Sequence, residues 1–370
     1  MNTIVFTFKV QRADTAVTTI IVPDDYPTIQ EAVDAASPGD TIFIKSGLYV
    51  ENITAGKSLT FMGEDRDEVI VTTNETLDPF IFDISSEKYT FSGITFLGHS
   101  FETAGIHGGY NTIVNCKFLF HFSGIYGGCD NVSNNVFVDN ARGMTLGGTN
   151  PVVTNNEFMS NGAGIMIAYT ENATIQENVF HKNYCGIAWF FFSLGENNTV
   201  SNNIFTFNDE GMDFDDADDV GVITYHNDFL NNTVQVENLI FSTECTWDDG
   251  YPSGGNYWSD YNGSDFLSGP YQNVTGSDEL GDVPYVVIGW PEWPELNFTD
   301  NYPLMSPYQY IPGDVNRDRR VRIDDILTIA LAFGSNLGDP AFRPLMDITG
   351  DGKIRIDDIL AAATNFGLGG

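Results

Sequence analysis

A phenylalanine that returns about every 22 residues governs what this chain can fold into. Asn135-Val-Phe137, Asn156-Glu-Phe158, Asn178-Val-Phe180, Asn203-Ile-Phe205 and Asn227-Asp-Phe229 repeat one pattern, and Cys116-Lys-Phe118 precedes them with Cys in place of Asn. The Phe intervals are 19, 21, 22, 25 and 24 residues. Six residues after five of these Phe comes Gly followed by Ile or Met, at Gly124-Ile125, Gly143-Met144, Gly164-Ile165, Gly186-Ile187 and Gly211-Met212. Two features in fixed register, drifting only in the linking segment, mark a structural repeat. A unit of this size holds three short strands and three turns rather than a helix pair, and no helical periodicity is present. Stacking such units predicts an all-β parallel β-helix, a solenoid whose coils pair about 4.8 Å apart. Phe should stack on Phe inside, and Asn on Asn at an inward turn with amides bonded along the column. Gly is expected where the chain bends sharply. Roughly ten coils between residues 20 and 245 would make a rod about 50 Å long.

Charge is the second constraint. The chain carries 51 Asp+Glu against 16 Lys+Arg, a formal net charge of −35. Residues 1–310 hold 42 acids and 9 bases, and residues 311–370 hold 9 and 7, so the acidity belongs to the larger body. No basic footprint exists for a nucleic-acid partner, whose binding releases counterions to Lys and Arg. No apolar run is long enough for a membrane span. Cys116, Cys129, Cys185 and Cys245 are too scattered for a disulfide framework or a zinc motif, which predicts buried thiols or one isolated bridge. Asn-x-Ser/Thr occurs at Asn52, Asn74, Asn131, Asn172, Asn197, Asn231, Asn262, Asn273 and Asn297, the pattern of a secreted glycoprotein. Residues 1–19 read as the remnant of a signal peptide or as a leading strand.

Asp25-Tyr-Pro-Thr-Ile-Gln-Glu-Ala-Val-Asp-Ala-Ala36 reads as a helix, with Pro27 in its first turn and Ile29, Ala32, Val33 and Ala36 on one face, suited to capping the open first coil. With the flanking Ile21-Val-Pro-Asp24 and Gly47-Leu-Tyr-Val-Glu51, this segment resembles the entry of right-handed parallel β-helix proteins of the pectate-lyase-like superfamily, including the NosD-like secreted group. The resemblance covers about residues 20–310. It implies the fold, with residues 20–245 as the β-helix and 246–311 as an aromatic and Gly-rich C-terminal cap. It does not select an activity, because that superfamily holds lyases, hydrolases, epimerases and non-catalytic surface proteins.

Residues 314–325 and 347–358 carry the most explicit chemistry. Asp314, Asn316, Asp318 and Asp325 stand at positions 1, 3, 5 and 12 of a loop, with the Arg320 carbonyl at 7. Asp347, Thr349, Asp351 and Asp358 repeat them, with Lys353 at 7. That spacing wraps oxygen ligands around a hard cation in the EF-hand manner, so two Ca²⁺ ions are expected. Helices should follow at Ile326–Phe333 and Ile359–Phe366. Arg319 at position 6, where Gly is usual, strains the first loop, and Thr349 is a poorer ligand than Asn or Asp. The pair is similar to a type I dockerin module over residues 312–370. The resemblance implies a cohesin-like protein partner, or a partner within the same chain.

Strand alternation places His107, Tyr126, Thr145, Met166, Ala188 and Asp213 in one outward column and Gly109, Gly128, Gly147, Ala168, Phe190 and Asp215 in a second. Tyr126, Tyr169 and Phe190 are candidates for stacking on sugar rings. Asp213 and Asp215, about 7 Å apart on one face, are the candidate catalytic pair of an inverting hydrolase. The acidic run 213–219 would equally hold a third Ca²⁺. Within the cap, Trp247 and Trp258, with Tyr251 and Tyr257, either close the solenoid or form a sugar-stacking surface. Against catalysis, residues 111–237 carry only Lys117, Arg142 and Lys182, whereas a uronate lyase needs a base and cations for the substrate carboxylate. His99, His107, His121, His181 and His226 share no register, so copper handling is not expected. The expected function is that of a secreted or cell-surface β-helix protein, non-catalytic, binding polysaccharide or other surface proteins and attached through a calcium-dependent tail. The rival is a dockerin-borne polysaccharide lyase or glycoside hydrolase.

Overall fold

The computed structural model describes residues 17–73, 80–84, 87–99, 102–189, 197–214, 221–237, 245–288 and 298–368. Phe190, Asp215 and the acidic run beyond it, Asn74, Asn297 and the N-terminal sixteen residues lie outside these segments.

The chain winds into a parallel β-solenoid. Ten parallel strands, from Gly47–Val50 to Tyr257–Trp258, form one sheet, here the Phe face, and the other two faces run together as an eighteen-stranded sheet. The expected register holds: Phe118 pairs with Phe137, Phe137 with Phe158, Phe158 with Phe180, Phe180 with Phe205 and Phe205 with Phe229. Their rings are stacked, with centroids 4.9, 4.7, 5.0, 4.7 and 4.7 Å apart, which sets the rise per coil. Phe96 extends the pile at one end and Trp258 at the other.

Two corners flank each strand of the Phe face, and both are built alike. A residue in the left-handed region is followed at once by an inward-pointing polar side chain. At the first corner the left-handed residues are Asn115, Asn134, Asn155, Glu177, Asn202 and His226, with φ between 55° and 58°. The residues that follow form the expected ladder. The Asn178 amide donates to Val153 O and to Asn203 Oδ1, each at 3.0 Å, while its own Oδ1 accepts Asn156 N and Nδ2. A second ladder of the same design stands at the other corner, through His121, Asn140, Asn161, Asn183, Asn208 and Asn232. His121 fills an asparagine's place, its Nε2 meeting Phe96 O at 3.1 Å as Asn140 Nδ2 meets Phe118 O.

The repeated glycines have another cause than the one expected. None of Gly124, Gly143, Gly164, Gly186 and Gly211 has a left-handed φ. They face the Phe stack: a Cβ on Gly164 would lie 2.6 Å from Gly186 O and 2.8 Å from a Phe180 ring carbon. Close approach of ring and neighbouring backbone excludes a side chain there.

Helix α1 (Ile29–Ala35) lies over the first coil and buries Ile29, Ala32 and Val33. Thr28 caps it, and Glu51 accepts the N–H groups of Ile29 and Gln30. At the far end Trp247 and Trp258 are each only 1% exposed. This corrects the sugar-stacking reading of Trp247 and Trp258: both indoles belong to the core that closes the solenoid. Asn256 ends the first ladder against the buried carboxylate of Asp300.

The residues beside each Phe face outward, and from Phe118 to Phe229 at least one of each pair is apolar, the others being Lys117, Glu157, His181, Thr206 and Asp228. Val136, Val138, Met159, Val179, Ile204 and Leu230 are buried because residues 312–368 pack over them, with Ile329, Phe342, Leu345, Met346 and Ile354 opposite. Helices α2 (Ile323–Leu331) and α3 (Ile356–Thr364) begin three residues earlier than expected, because the Asp325 and Asp358 carboxylates accept the N–H groups of Arg322 and Arg355 and cap the first turns.

Candidate functional site

Two regions concentrate functional side chains. The first is the outward column along the rod. Strand pairing runs Thr54, Asp83, His107, Tyr126, Thr145, Met166, Ala188, Asp213 and Glu237 in a single line, so the column read from the sequence exists and extends two coils further at its N-terminal end and one at the other. At its N-terminal end His107 stacks on Phe80 at 4.1 Å and holds Asp83 at 2.9 Å through Nδ1. Tyr126 stands beside it, 40% exposed. Tyr169 is also exposed, at a corner.

At the C-terminal end the column turns acidic. Asp213 pairs in register with Glu237, and its expected partner Asp215 lies outside the described residues. Sequence reasoning missed Glu210. Burial, together with the charge of Asp213, holds the Glu210 carboxyl above the usual range, while a bond from Tyr184 pulls it down. One of its oxygens is buried without a hydrogen-bond partner. A carboxyl whose pKa is raised beside other carboxylates is the arrangement acid catalysis uses, and also what crowding of like charges produces anywhere.

The second region is the pair of loops at the C-terminus. In the first, Asp314 Oδ1 and Asn316 Oδ1 accept Asp318 N, Asp318 Oδ1 accepts Arg320 N, and Asp325 Oδ1 accepts Val315 N. The second repeats this with Asp347, Asp351, Thr349 and Asp358. Asp314, Asp325, Asp347 and Asp358 are all buried. Arg317 and Arg319 take the left-handed conformations, φ 58° and 65°, that Gly350 and Gly352 take in the second loop. The strain expected at Arg319 is therefore present.

The loops differ in what completes them. Asp314 Oδ2 is buried and has no hydrogen-bond partner, and burial outweighs its two backbone donors to raise its pKa. The matching oxygen of Asp347 accepts Gly352 N at 2.8 Å and faces His181 Nε2 of the rod at 3.3 Å. Phe207 sits over Gly350, where a Cβ would meet the ring at 2.5 Å, and Arg317 donates to Glu177 O. Both loops thus press on the rod. Their helices turn outward, leaving Ile323, Leu327, Leu331, Ile356 and Leu360 between 55% and 87% exposed.

Among the described residues no three His, Cys, Asp or Glu side chains converge on one metal position. The described cysteines are free thiols; burial pushes Cys116 and Cys129 up to about 12, which leaves them unreactive. His121 and His181 are buried in separate places, and His99, His107 and His226 stand elsewhere on the rod.

Comparison with known proteins supplies a family. Residues 33–263, more than half of the chain, match the family model described as periplasmic copper-binding protein (NosD). No curated protein matches the sequence. Among solved structures, an alginate lyase from Paenibacillus sp. str. FPU-7 is similar at 13% identity and a TM-score of 0.39, over 57% of this chain and 76% of its own. Pectin methylesterase PemA from Erwinia chrysanthemi gives 13% identity and 0.33, over 52% and 79%, and pectin methylesterase from carrot 12% and 0.29, over 64% and 88%. At this level of similarity nothing about their reactions carries over.

Proposed function

The chain belongs to the NosD family, and from that premise we propose that it is a non-catalytic extracytoplasmic β-helix protein that binds polysaccharide along its outward column and attaches to a protein partner through a calcium-dependent, dockerin-like module. The family description names the periplasm and copper. The scattered histidines and buried thiols do not fit a copper site, so no copper role is part of this reading.

One observation carries the attachment. The apolar residues of α2 and α3 recur every fourth position and stay exposed on both helices, although the rest of the module is packed on the rod. A duplicated apolar stripe of this kind marks a protein-binding surface. Calcium is supported by the buried, unpartnered Asp314 Oδ2 and by the chemistry of the donors, all oxygens, and binding would have to draw together carboxylates that do not converge without it. One ion would be held by Asp314, Asn316, Asp318, Asp325 and the Arg320 carbonyl. The other would be held by Asp347, Thr349, Asp351, Asp358 and the Lys353 carbonyl. Bound there, calcium supplies the positive charge that four buried carboxylates lack.

Titration of the full chain with a panel of type I cohesin modules tests the attachment. Saturable binding is expected in calcium, abolished by EDTA and by Leu327→Asp with Leu360→Asp. Absence of binding across the panel would remove the attachment from this reading.

A second reading rests on Glu210. Its raised pKa beside Asp213 and Glu237 suits a general acid, and with it a polysaccharide-cleaving activity. Release of reducing ends or unsaturated products from a glycan panel, lost in Glu210→Gln, would favour it over the non-catalytic reading.

A further inference from the structure

Three cations meet in a narrow cleft where rod and C-terminal module close on one another. Arg66 and Lys117 come from the rod and Arg343 from the module, between the apolar walls of Val138, Met159 and Phe342. Lys117 is only 8% exposed, and among the described residues its ammonium has neither a hydrogen bond nor an ion pair. Arg66 Nε is likewise buried without a hydrogen-bond partner. Burial pulls the Lys117 ammonium below the ordinary lysine range; Asp67 and Asp339 oppose this, and the Arg66 and Arg343 charges add to it.

Of the two acids at the cleft, Asp339 is hydrogen-bonded outside it and Asp67 pairs loosely with Arg66. Asp339 Oδ2 accepts Asn336 N at 2.6 Å and Asn336 Nδ2 at 3.2 Å. Asp67 comes no nearer than 3.9 Å to Arg66 Nε, and its side chain is 49% exposed. Arg343 Nη1 already donates to Pro340 O and Phe342 O, so the unmet donors are Lys117 Nζ and Arg66 Nε. A buried donor without an acceptor is costly, and lysine and arginine offer donors only. The cleft has room for about one water-sized body. A water there would have to donate as well as accept, whereas a monatomic anion accepts from every side.

We infer that this cleft binds one chloride-sized anion, which bridges Arg66 and Lys117 of the rod to Arg343 of the module. The inference does not depend on the calcium or polysaccharide readings. The site exists only when the module is docked, so the anion stabilises docking.

Thermal unfolding of the full chain, over a chloride series at constant ionic strength, tests it. Gluconate, too large for the cleft, replaces chloride, so that general screening of the acidic surface cancels. The midpoint should rise by roughly 2 °C per tenfold chloride once the site begins to fill. Lys117→Met keeps the apolar stem and should lose that increment. Equal midpoints in chloride and gluconate, or an undiminished increment in Lys117→Met, would overturn the inference. Should the variant not fold, crystals of the unsubstituted protein grown in bromide decide: an anomalous peak beside Lys117 Nζ supports the site, and an empty cleft ends it.

Discussion

The rod and the C-terminal module both bury many polar side chains, and they satisfy them in opposite ways. The rod uses neutral amides, each donating to the coils on both sides and accepting from the preceding one, so that adding a coil extends the ladder. The module buries carboxylates of like charge whose available partners are a few backbone N–H groups. A neutral amide ladder is complete in itself. A carboxylate loop is not, and it recruits either a cation or a neighbouring surface such as His181. The rod should therefore be stable under most solution conditions, and the module should depend on them.

The largest expected effect lies in the core of the rod. Phe158→Ala opens a hole between two stacked rings and should cost about 4 kcal/mol, read from urea unfolding by far-UV circular dichroism. Asn178→Ala should cost about 3–4 kcal/mol in the same measurement, because it orphans Asn156 N and Val153 O at once. A loss under about 1 kcal/mol there would break the contrast, since it would mean the ladder is not satisfied internally.

Acid should expose the histidine rung. Burial depresses His121 to about 4 from the usual 6.5. The unfolded chain then binds the extra proton first, so stability is intact above pH 6.5 and falls as pH drops towards 4, by roughly 3 kcal/mol in all. His121→Asn, which keeps the ladder bond to Phe96 O, should flatten that part of the profile; an unchanged acid limb would assign it elsewhere.

Calcium should act on the module and leave the rod unmoved. At a hundredfold excess over Kd, each filled loop should add about 2.7 kcal/mol to the module's unfolding, detected as a calcium-dependent transition that EDTA removes. A transition equal in EDTA and in calcium would show that the rod alone completes the loops. The smallest effect is expected for Arg319→Gly, which relieves a left-handed arginine and should stabilise the first loop by about 1 kcal/mol.

Much of the rod was readable because solenoid neighbours are spaced evenly along the chain. The Phe stack and the Asn ladder that precedes it follow from counting. The second ladder follows the same count, with Asn140, Asn161, Asn183, Asn208 and Asn232 at intervals of 21, 22, 25 and 24 residues, and it escaped because only the motif joined to Phe was aligned. The apolar residues beside the Phe also carried a message: Val136, Val138, Met159, Val179, Ile204 and Leu230 stand on the outward face, and an apolar outward face is covered, here by the module. The indoles misled, since Trp247 and Trp258 look alike in a sequence whether they end a core or line a binding face. Glu210 shares a strand with Asp213 and was passed over because the outward column was counted through Asp213 alone, while Tyr184 and Glu237, which also act on it, come from the coils on either side.

The order of residues by itself determined the solenoid, its register, its inward ladders and the duplicated acidic loops, because each depends on spacing within the chain or between adjacent coils. Only the tertiary structure decided where the last sixty residues lie, which face of them remains open, and that Arg66, Lys117 and Arg343 share a cleft. Those contacts join rod and module segments from more than a hundred to nearly three hundred residues apart, and no local period records them; they arise where two independently shaped apolar surfaces find the fit that buries the most area with the fewest unpaired charges.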